Sequence, residues 1–321
     1  MACRLTYRRA ATVVAVALML ACASLLVACG GSSGGSGGSG DQNSGESTTS
    51  GPAYSVPGSV ALVTFNEGAA QTGNECAIDT SQLAQGVVGA SARNDARLKF
   101  QVVKGEMSYN YDLPGDGTPI IVPINMGDGP YTFRVMQNTS GNNYVELFSV
   151  IDNVNLSSET APFLVPNMFV NYNESSAVVA KARELAQGAA NQGDVVRNIY
   201  QWVVDNITYD HDKAAQLASA TGYVPDPDAT LASGTGICFD CASLGAAMLR
   251  SLGIPCQVIT GYVSPDDVYH AWNMVYIDGE WISVEISIKP NSWTRVDLTF
   301  AASGAASTIG DGTSYTDRYT Y

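Results

Sequence analysis

The chain has 321 residues, with 30 acidic against 16 basic side chains and a formal net charge of −14. That acidity argues against nucleic acid as a partner and is compatible with a neutral or basic protein or peptide. Seven cysteines are too few for a disulfide-built fold in a chain long enough to bury a core of its own.

Residues 1–28 read as a secretory signal, since Arg4, Arg8 and Arg9 precede the apolar run from Ala11 to Val27. The run is short for a membrane span, and Gly/Ser-rich sequence follows at once. Leu26-Val27-Ala28-Cys29 resembles the bacterial lipobox, which implies cleavage before Cys29 and lipidation of that cysteine; a plain signal-peptidase site after Ala28 is the alternative. Residues 29–54 are dominated by Gly, Ser, Asp, Asn and Thr and read as a flexible tether, because such sequence buries too little apolar surface to order. The expectation is an extracytoplasmic protein anchored to the bacterial membrane by lipid. A Gram-positive surface is favoured over a periplasm, since a tether serves where a thick wall must be crossed.

Residues 55–170 have β texture. Leu98 to Val102 and Met107 to Tyr111 alternate with period two, and strands are expected again at Tyr131 to Gln137 and Tyr144 to Ile151. Turn signals at Pro114-Gly115-Asp116-Gly117 and Gly127-Asp128-Gly129-Pro130 separate them. The segment reads as a small antiparallel β-sandwich-like domain, with Tyr109, Tyr111 and Tyr131 as sheet packing before any ligand face.

Residues 171–321 change to helix and then to strand, which makes the whole chain α+β. Helices are expected over Ser176 to Gln187 and after a cap at Asp194, where Val195, Val196, Ile199, Tyr200 and Val203 make an apolar stripe. A polar loop follows through Pro225 and Pro227. Cys238 then opens a helix whose repeat, Cys241, Leu244, Met248 and Leu252, stops at Gly253 with Pro255 beyond. Strands are expected at Gln257 to Tyr262, His270 to Ile277, Trp281 to Ile288 and Trp293 to Phe300, with Asp278-Gly279 as a hairpin turn.

Cys238 at a helix N-terminus is placed where the helix dipole favours thiolate. With His270 as base it makes the Cys/His pair that acyl transfer requires. Cys238-Phe239-Asp240-Cys241 is also a Cys-x-x-Cys, so a redox protein is a competing reading, and Cys241 either bonds Cys238 in a disulfide or packs on its helix's apolar stripe. A zinc site would need Cys238, Cys241, Cys256 and His270 to converge without a second close-spaced ligand pair. His211, in Asp210-His211-Asp212, reads as solvated, and nothing around Cys76 suggests activation. No cofactor or metal is expected.

Trp202, Asn206-Ile207-Thr208-Tyr209-Asp210, Gly236-Ile237-Cys238-Phe239-Asp240, Arg250-Ser251-Leu252-Gly253-Ile254-Pro255, Gly261-Tyr262 and His270-Ala271-Trp272-Asn273 occur in that order. The series resembles the bacterial transglutaminase-like superfamily over roughly Ser175 to Phe300. The resemblance implies a papain-like α+β core with a Cys-His-Asp triad in which Cys238 is nucleophile and His270 base. The family's acid lies four residues after a Trp, and two positions offer it: Glu285 after Trp281 and Asp297 after Trp293. A two-residue turn at Asp278-Gly279 would pair His270 with Ser287 and make Glu285 its same-face diagonal neighbour, so Glu285 is favoured over the more usual Asp at 297. The implied activity is that of a thiol enzyme on peptide or glutamine amide bonds, hydrolytic or crosslinking. A noncatalytic surface-binding module that keeps the fold is the alternative class.

Overall fold

The computed structural model describes residues 51–218, 220–263, 268–284, 288–289, 292–293 and 315–321. The first strands are β1 (Gln71–Gly73), β2 (Cys76–Asp79) and β3 (Val87–Ala92), followed by β4 (Leu98–Lys104), β5 (Met107–Leu113), β6 (Ile120–Pro123), β7 (Gly129–Ser140) and β8 (Asn143–Val154). They form two antiparallel sheets, in the orders β1-β2-β3-β6 and β5-β4-β7-β8. Alternate residues of both turn inward, and Ile78, Val88, Phe100, Val122, Phe133 and Val135 meet in one core. Tyr109, Tyr111 and Tyr131 are buried in it, as sheet packing requires. The β4, β5, β7 and β8 strands run longer than the alternation suggested. The sheet of β1, β2, β3 and β6 was not foreseen, because Val87-Val88-Gly89-Ala90 is buried on both faces and shows no period of two.

The second half begins with α1 (Ala177–Leu185) and α2 (Gln192–Asn206), then β9 (Thr208–Tyr209), α3 (His211–Leu217), α4 (Pro227–Ser233), β10 (Thr235–Gly236) and α5 (Cys238–Ser251). It ends with β11 (Cys256–Val263), β12 (Val268–Ile277), β13 (Glu280–Val284), the small hairpin β14 (Ile288–Lys289) and β15 (Ser292–Trp293), and β16 (Tyr315–Thr320). The cap of α2 is Asn191, not Asp194: the Asn191 side chain accepts from the Asp194 N–H, and Asp194 lies inside the first turn. The stretch expected as one polar loop carries two short helices, each capped by an aspartate, Asp210 for α3 and Asp226 for α4.

The sheet of this half runs β13-β12-β11-β16. Its hairpin register is the one the sequence implies: Ile277 pairs with Glu280 and Asn273 with Val284, across a turn with Asp278 at φ 55° and Gly279 at φ 87°. Glu285 and Asp297 lie outside the described residues, as does Cys29. Helices α1, α2 and α5 bury Val179, Ile199, Val203, Leu244 and Met248 against Val258 and Val275 of this sheet.

Two side chains from either end of the second half, Phe169 and Tyr321, pack against both cores. Between those cores lies Arg250, whose side chain is 1% exposed. Its guanidinium donates to the main-chain oxygens of Cys256 at 2.8 Å, Val165 at 3.0 Å and Tyr321 at 2.8 Å. The guanidinium spreads its donors over three nitrogens, one for each of these separated acceptors, whereas an ammonium's donors all leave a single point. Arg250→Lys is therefore expected to lower stability by about 2–4 kcal/mol, read as a lower urea midpoint with unchanged slope. A midpoint equal to the parent's would show that the clamp contributes nothing.

Candidate active site

The position of Cys238 is set before its helix begins. Thr235-Gly236 runs parallel to Thr208-Tyr209, with Thr208 N–H donating to Gly234 O at 2.8 Å and Asp210 N–H to Gly236 O at 3.0 Å. A Cβ on Gly236 would fall 2.8 Å from Asp240 Cβ and 3.2 Å from Thr230 Cγ2, so glycine is needed for the close approach. The N-cap residue is Ile237, which has no side-chain acceptor. Instead Asp240 Oδ2 accepts the Ile237 N–H at 2.9 Å, and Cys238 becomes the first residue of α5.

The strand that bears His270 is fastened to this helix through Asn273. That amide is 1% exposed; its Nδ2 donates to Ala242 O in α5 and Gln257 O in β11, both at 3.0 Å, and its Oδ1 accepts from Tyr200 Oη of α2 at 2.7 Å. Gly245 makes room, since a Cβ there would lie 3.3 Å from both Asn273 Oδ1 and Tyr200 Oη. At the other end of the contact, Cys238 Sγ accepts from the backbone N–H of Ala271, next to His270 in the chain. The structure thus brings Cys238 to the His270-Ala271 step of β12.

The electrostatics reverse one expectation. Although Cys238 as a residue is only partly covered, burial of its thiol pushes the pKa up to about 11, against the pull of the N–H groups of Ala271 and Phe239 and with a further push from Asp240. Burial draws His270 down to about 4. A helix dipole is worth at most about 2 kcal/mol, and here desolvation outweighs it. The resting pair is a neutral thiol and a neutral imidazole, in place of the expected thiolate.

Asp240, which the sequence reading passed over as a catalytic-site residue, is fully buried. Lys213 Nζ lies 2.7 Å from its Oδ2 and 4.8 Å from the centre of the Tyr223 ring, while the Tyr223 hydroxyl donates to Oδ1. Burial and the neighbouring carboxylate push Tyr223 up to about 12. These contacts lash α3 and the segment after it to the first turn of α5. A carboxylate at the third helical position was the available signal, but its partners lie 27 and 17 residues away.

The remaining candidates fall away from the chemistry. Cys238 and Cys241 are both free thiols, and Cys241 is 2% exposed within the helical core, which is the packed alternative. His211 is exposed and sets its ring edge-on to Tyr209 at 4.9 Å. Cys256 is buried beneath Arg250 and Tyr200, and Cys76 lies in the sandwich core.

Several known proteins are similar to the chain. Cytokinesis protein 3 of Schizosaccharomyces pombe is 33% identical over 120 residues, 33% of this chain and 12% of that protein. UPF0252 protein MJ1282 of Methanocaldococcus jannaschii is 23% identical over 204 residues, 60% of this chain and 55% of that protein. The chain thus spans from 12% to 55% of the length of these curated relatives. A solved structure of a TGase is 24% identical, covering 38% of this chain and 34% of that one with a TM-score of 0.31. A candidate cysteine protease from Cytophaga hutchinsonii is 18% identical, covering 61% and 73% with a TM-score of 0.34. The family model for the transglutaminase-like superfamily matches residues 179–286, the span from α1 to the strand after the histidine. Over that span the chain matches a transglutaminase-like domain.

Proposed function

We propose that the protein is a thiol enzyme acting on amide bonds of peptides or glutamine side chains, with Cys238 as nucleophile and His270 as base. The observation that carries this reading is the placement of Cys238 Sγ at the head of α5 against the backbone beside His270. Since both groups rest neutral, the imidazole takes the thiol proton as sulfur attacks the carbonyl carbon. The C–S bond forms, the carbonyl electrons move to oxygen, and N–H groups at the helix start, those of Cys238 and Phe239, stabilise the oxyanion. The imidazolium then returns the proton to the departing amine, leaving a thioester. Water attacking that thioester completes hydrolysis, and a lysine amine would complete a crosslink. Hydrolysis is favoured because nothing in the sequence marks an amine site.

Two measurements test the pair. Cys238→Ala is expected to abolish turnover of a labelled peptide or of amine incorporation while Cys76→Ala is neutral, and retained activity in the first would end the assignment. A His270 drawn down to about 4 by burial is an unprotonated base above that pH and is lost below it. The kcat/KM profile should therefore fall only as pH drops toward about 4 and stay level through neutrality. With the thiol pushed up to about 11, alkylation of Cys238 by iodoacetamide at pH 7 should be no faster than that of a free cysteine. A single thiol reacting fast at pH 6 would instead indicate a thiolate–imidazolium pair.

Glu285 is proposed to hold the imidazole in the productive tautomer, with Asp297 as the lesser candidate. Glu285→Gln is expected to lower kcat by about four orders of magnitude, as loss of an orienting carboxylate does in serine triads. Asp297→Asn should cost far less. The reverse ranking would transfer the role, and two active variants would remove both residues from it.

The proposed setting is the outer face of the bacterial membrane, with lipid on Cys29 and a tether shorter than the expected 29–54, since Pro52 O accepts from Gln192 N–H and Tyr54 N–H donates to Ala190 O in the folded body. No helix among the described residues is long and apolar enough to cross a membrane. Cys29→Ser should move the protein from the membrane fraction to the medium. Continued membrane retention would count against the lipid.

A further inference from the structure

In the motif Asn206-Ile207-Thr208-Tyr209-Asp210, every residue but Tyr209 has an evident structural task. Asn206 ends α2, its Nδ2 donating to Trp202 O at 2.8 Å. Ile207 is buried in the helical core, the Thr208 N–H donates to Gly234 O, and Asp210 caps α3. Tyr209 is half-buried, and among the described residues no hydrogen bond engages its hydroxyl. Other tyrosines near the site are already committed. Tyr200 donates to Asn273, Tyr223 to Asp240, and Tyr269, next to His270 in the chain, to Thr260 Oγ1 at 2.8 Å.

Tyr209 faces the head of α5. It pairs with Gly236 in the parallel register of β9 and β10, and paired residues of a sheet project to the same face. The glycine identifies that face, since its Cβ would fall 2.8 Å from Asp240 Cβ in the first turn of α5. The Tyr209 ring therefore stands on the side of the strand pair that this turn covers, beside a residue only two positions before Cys238. The electrostatics agree. Burial first, then the sulfurs of Cys238 and Cys241, then Asp210, push the Tyr209 pKa above the ordinary phenol range. The hydroxyl thus lies within electrostatic reach of the Cys238 sulfur, and it stays protonated, a donor, wherever His270 is a neutral base.

We propose that Tyr209 is a further catalytic residue, whose hydroxyl donates to the oxygen of the carbonyl that Cys238 attacks. The proposal rests on the reading of Cys238 as an acyl-transfer nucleophile. As the C–S bond forms, the carbonyl π electrons become a lone pair on oxygen and the thiol proton passes to His270. Tyr209 keeps its own proton throughout. Its hydrogen bond strengthens as charge develops on that oxygen, beside the N–H groups of Cys238 and Phe239, so it favours the transition state over the bound substrate. An acyl oxygen arriving at the sulfur supplies the acceptor that the described part of the protein does not.

The test uses the full chain and Tyr209→Phe, which keeps the ring and removes only the hydroxyl. The probe is N-acetylglycinal labelled with carbon-13 at the aldehyde. The Cys238 thiol adds across its C=O, sulfur to carbon and proton to oxygen, giving a hemithioacetal that NMR detects in the parent and not in Cys238→Ala. Tyr209→Phe is expected to weaken this adduct at least about tenfold. It should also lower kcat for the labelled peptide by about two orders of magnitude, with KM within about twofold of the parent's. Alkylation by iodoacetamide displaces iodide and develops no charge on a carbonyl oxygen, so its rate at Cys238 should not change. A change in that rate as large as the loss in kcat would show that Tyr209 only conditions the thiol, and would overturn the proposal. Parent-like adduct affinity and kcat in Tyr209→Phe would overturn it too, and leave the thiol enzyme standing. If the parent forms the adduct but turns over no labelled peptide, the ratio of adduct affinities decides alone. Absence of both adduct and turnover in the parent removes the enzyme, and the role of Tyr209 with it.

Discussion

The amide of Asn273 is the contact on which the site depends. One side chain ties β12 to α5 through Ala242 O, to β11 through Gln257 O and to α2 through the Tyr200 hydroxyl. The bonds to Ala242 and Tyr200 are buried and that to Gln257 partly so, and in such surroundings a hydrogen bond is strong and an unmade one is costly. A helix resting on apolar side chains alone could slide along its sheet by a rotamer change with little penalty. An amide that must meet a carbonyl in each of two elements and a hydroxyl in a third permits one register. That register puts the head of α5, and so Cys238, at the step of β12 that carries His270.

The same burial that makes this fastening firm decides the chemistry of the pair. A sulfur at a helix N-terminus receives N–H groups, yet the apolar packing around it, with Asp240 close by, disfavours a negative charge more than those groups favour it. The arrangement stores no charge separation at rest. In the proposed reaction, proton transfer must then accompany attack, and the imidazole's low basicity makes it a ready donor to the leaving amine afterwards. Asp240 itself stays paired with Lys213 and Tyr223, so its role is to shape the entrance to the helix.

Much of this was legible where a local pattern suffices. The 3.6-residue repeat from Cys241 to Leu252 gave α5 and its start, and Asp278-Gly279 fixed the hairpin register residue for residue. Asn273 and Arg250 stood inside motifs of the family, but their roles depend on carbonyls in other elements, such as Val165 and Gln257, which no local pattern announces. Strands β2 and β3 were hidden because strands covered on both faces lose their alternation. Helices α3 and α4 were hidden in polar sequence, where a capping aspartate rather than an apolar stripe is the sign. The thiol's raised pKa was out of reach for a related reason. A helix terminus is visible in sequence, whereas the atoms that exclude water from it come from β12.

The strand β16 has a consequence for how the protein is made. It completes the sheet beside β11, with Val258 and Tyr321 exchanging hydrogen bonds at 2.9 and 2.8 Å. Tyr321 O also accepts from Arg250, 71 residues earlier in the chain. Until residue 321 has been synthesised, the guanidinium lacks one of its three acceptors, β11 has an open edge, and the ring that packs against both cores is missing. A contact of that sequence separation also forms slowly, because the loop must close before the contact rewards it. Completion of the sheet beside Cys238 therefore waits on residues 52 positions beyond the end of β11, and until they arrive Cys238 sits in an unfinished domain.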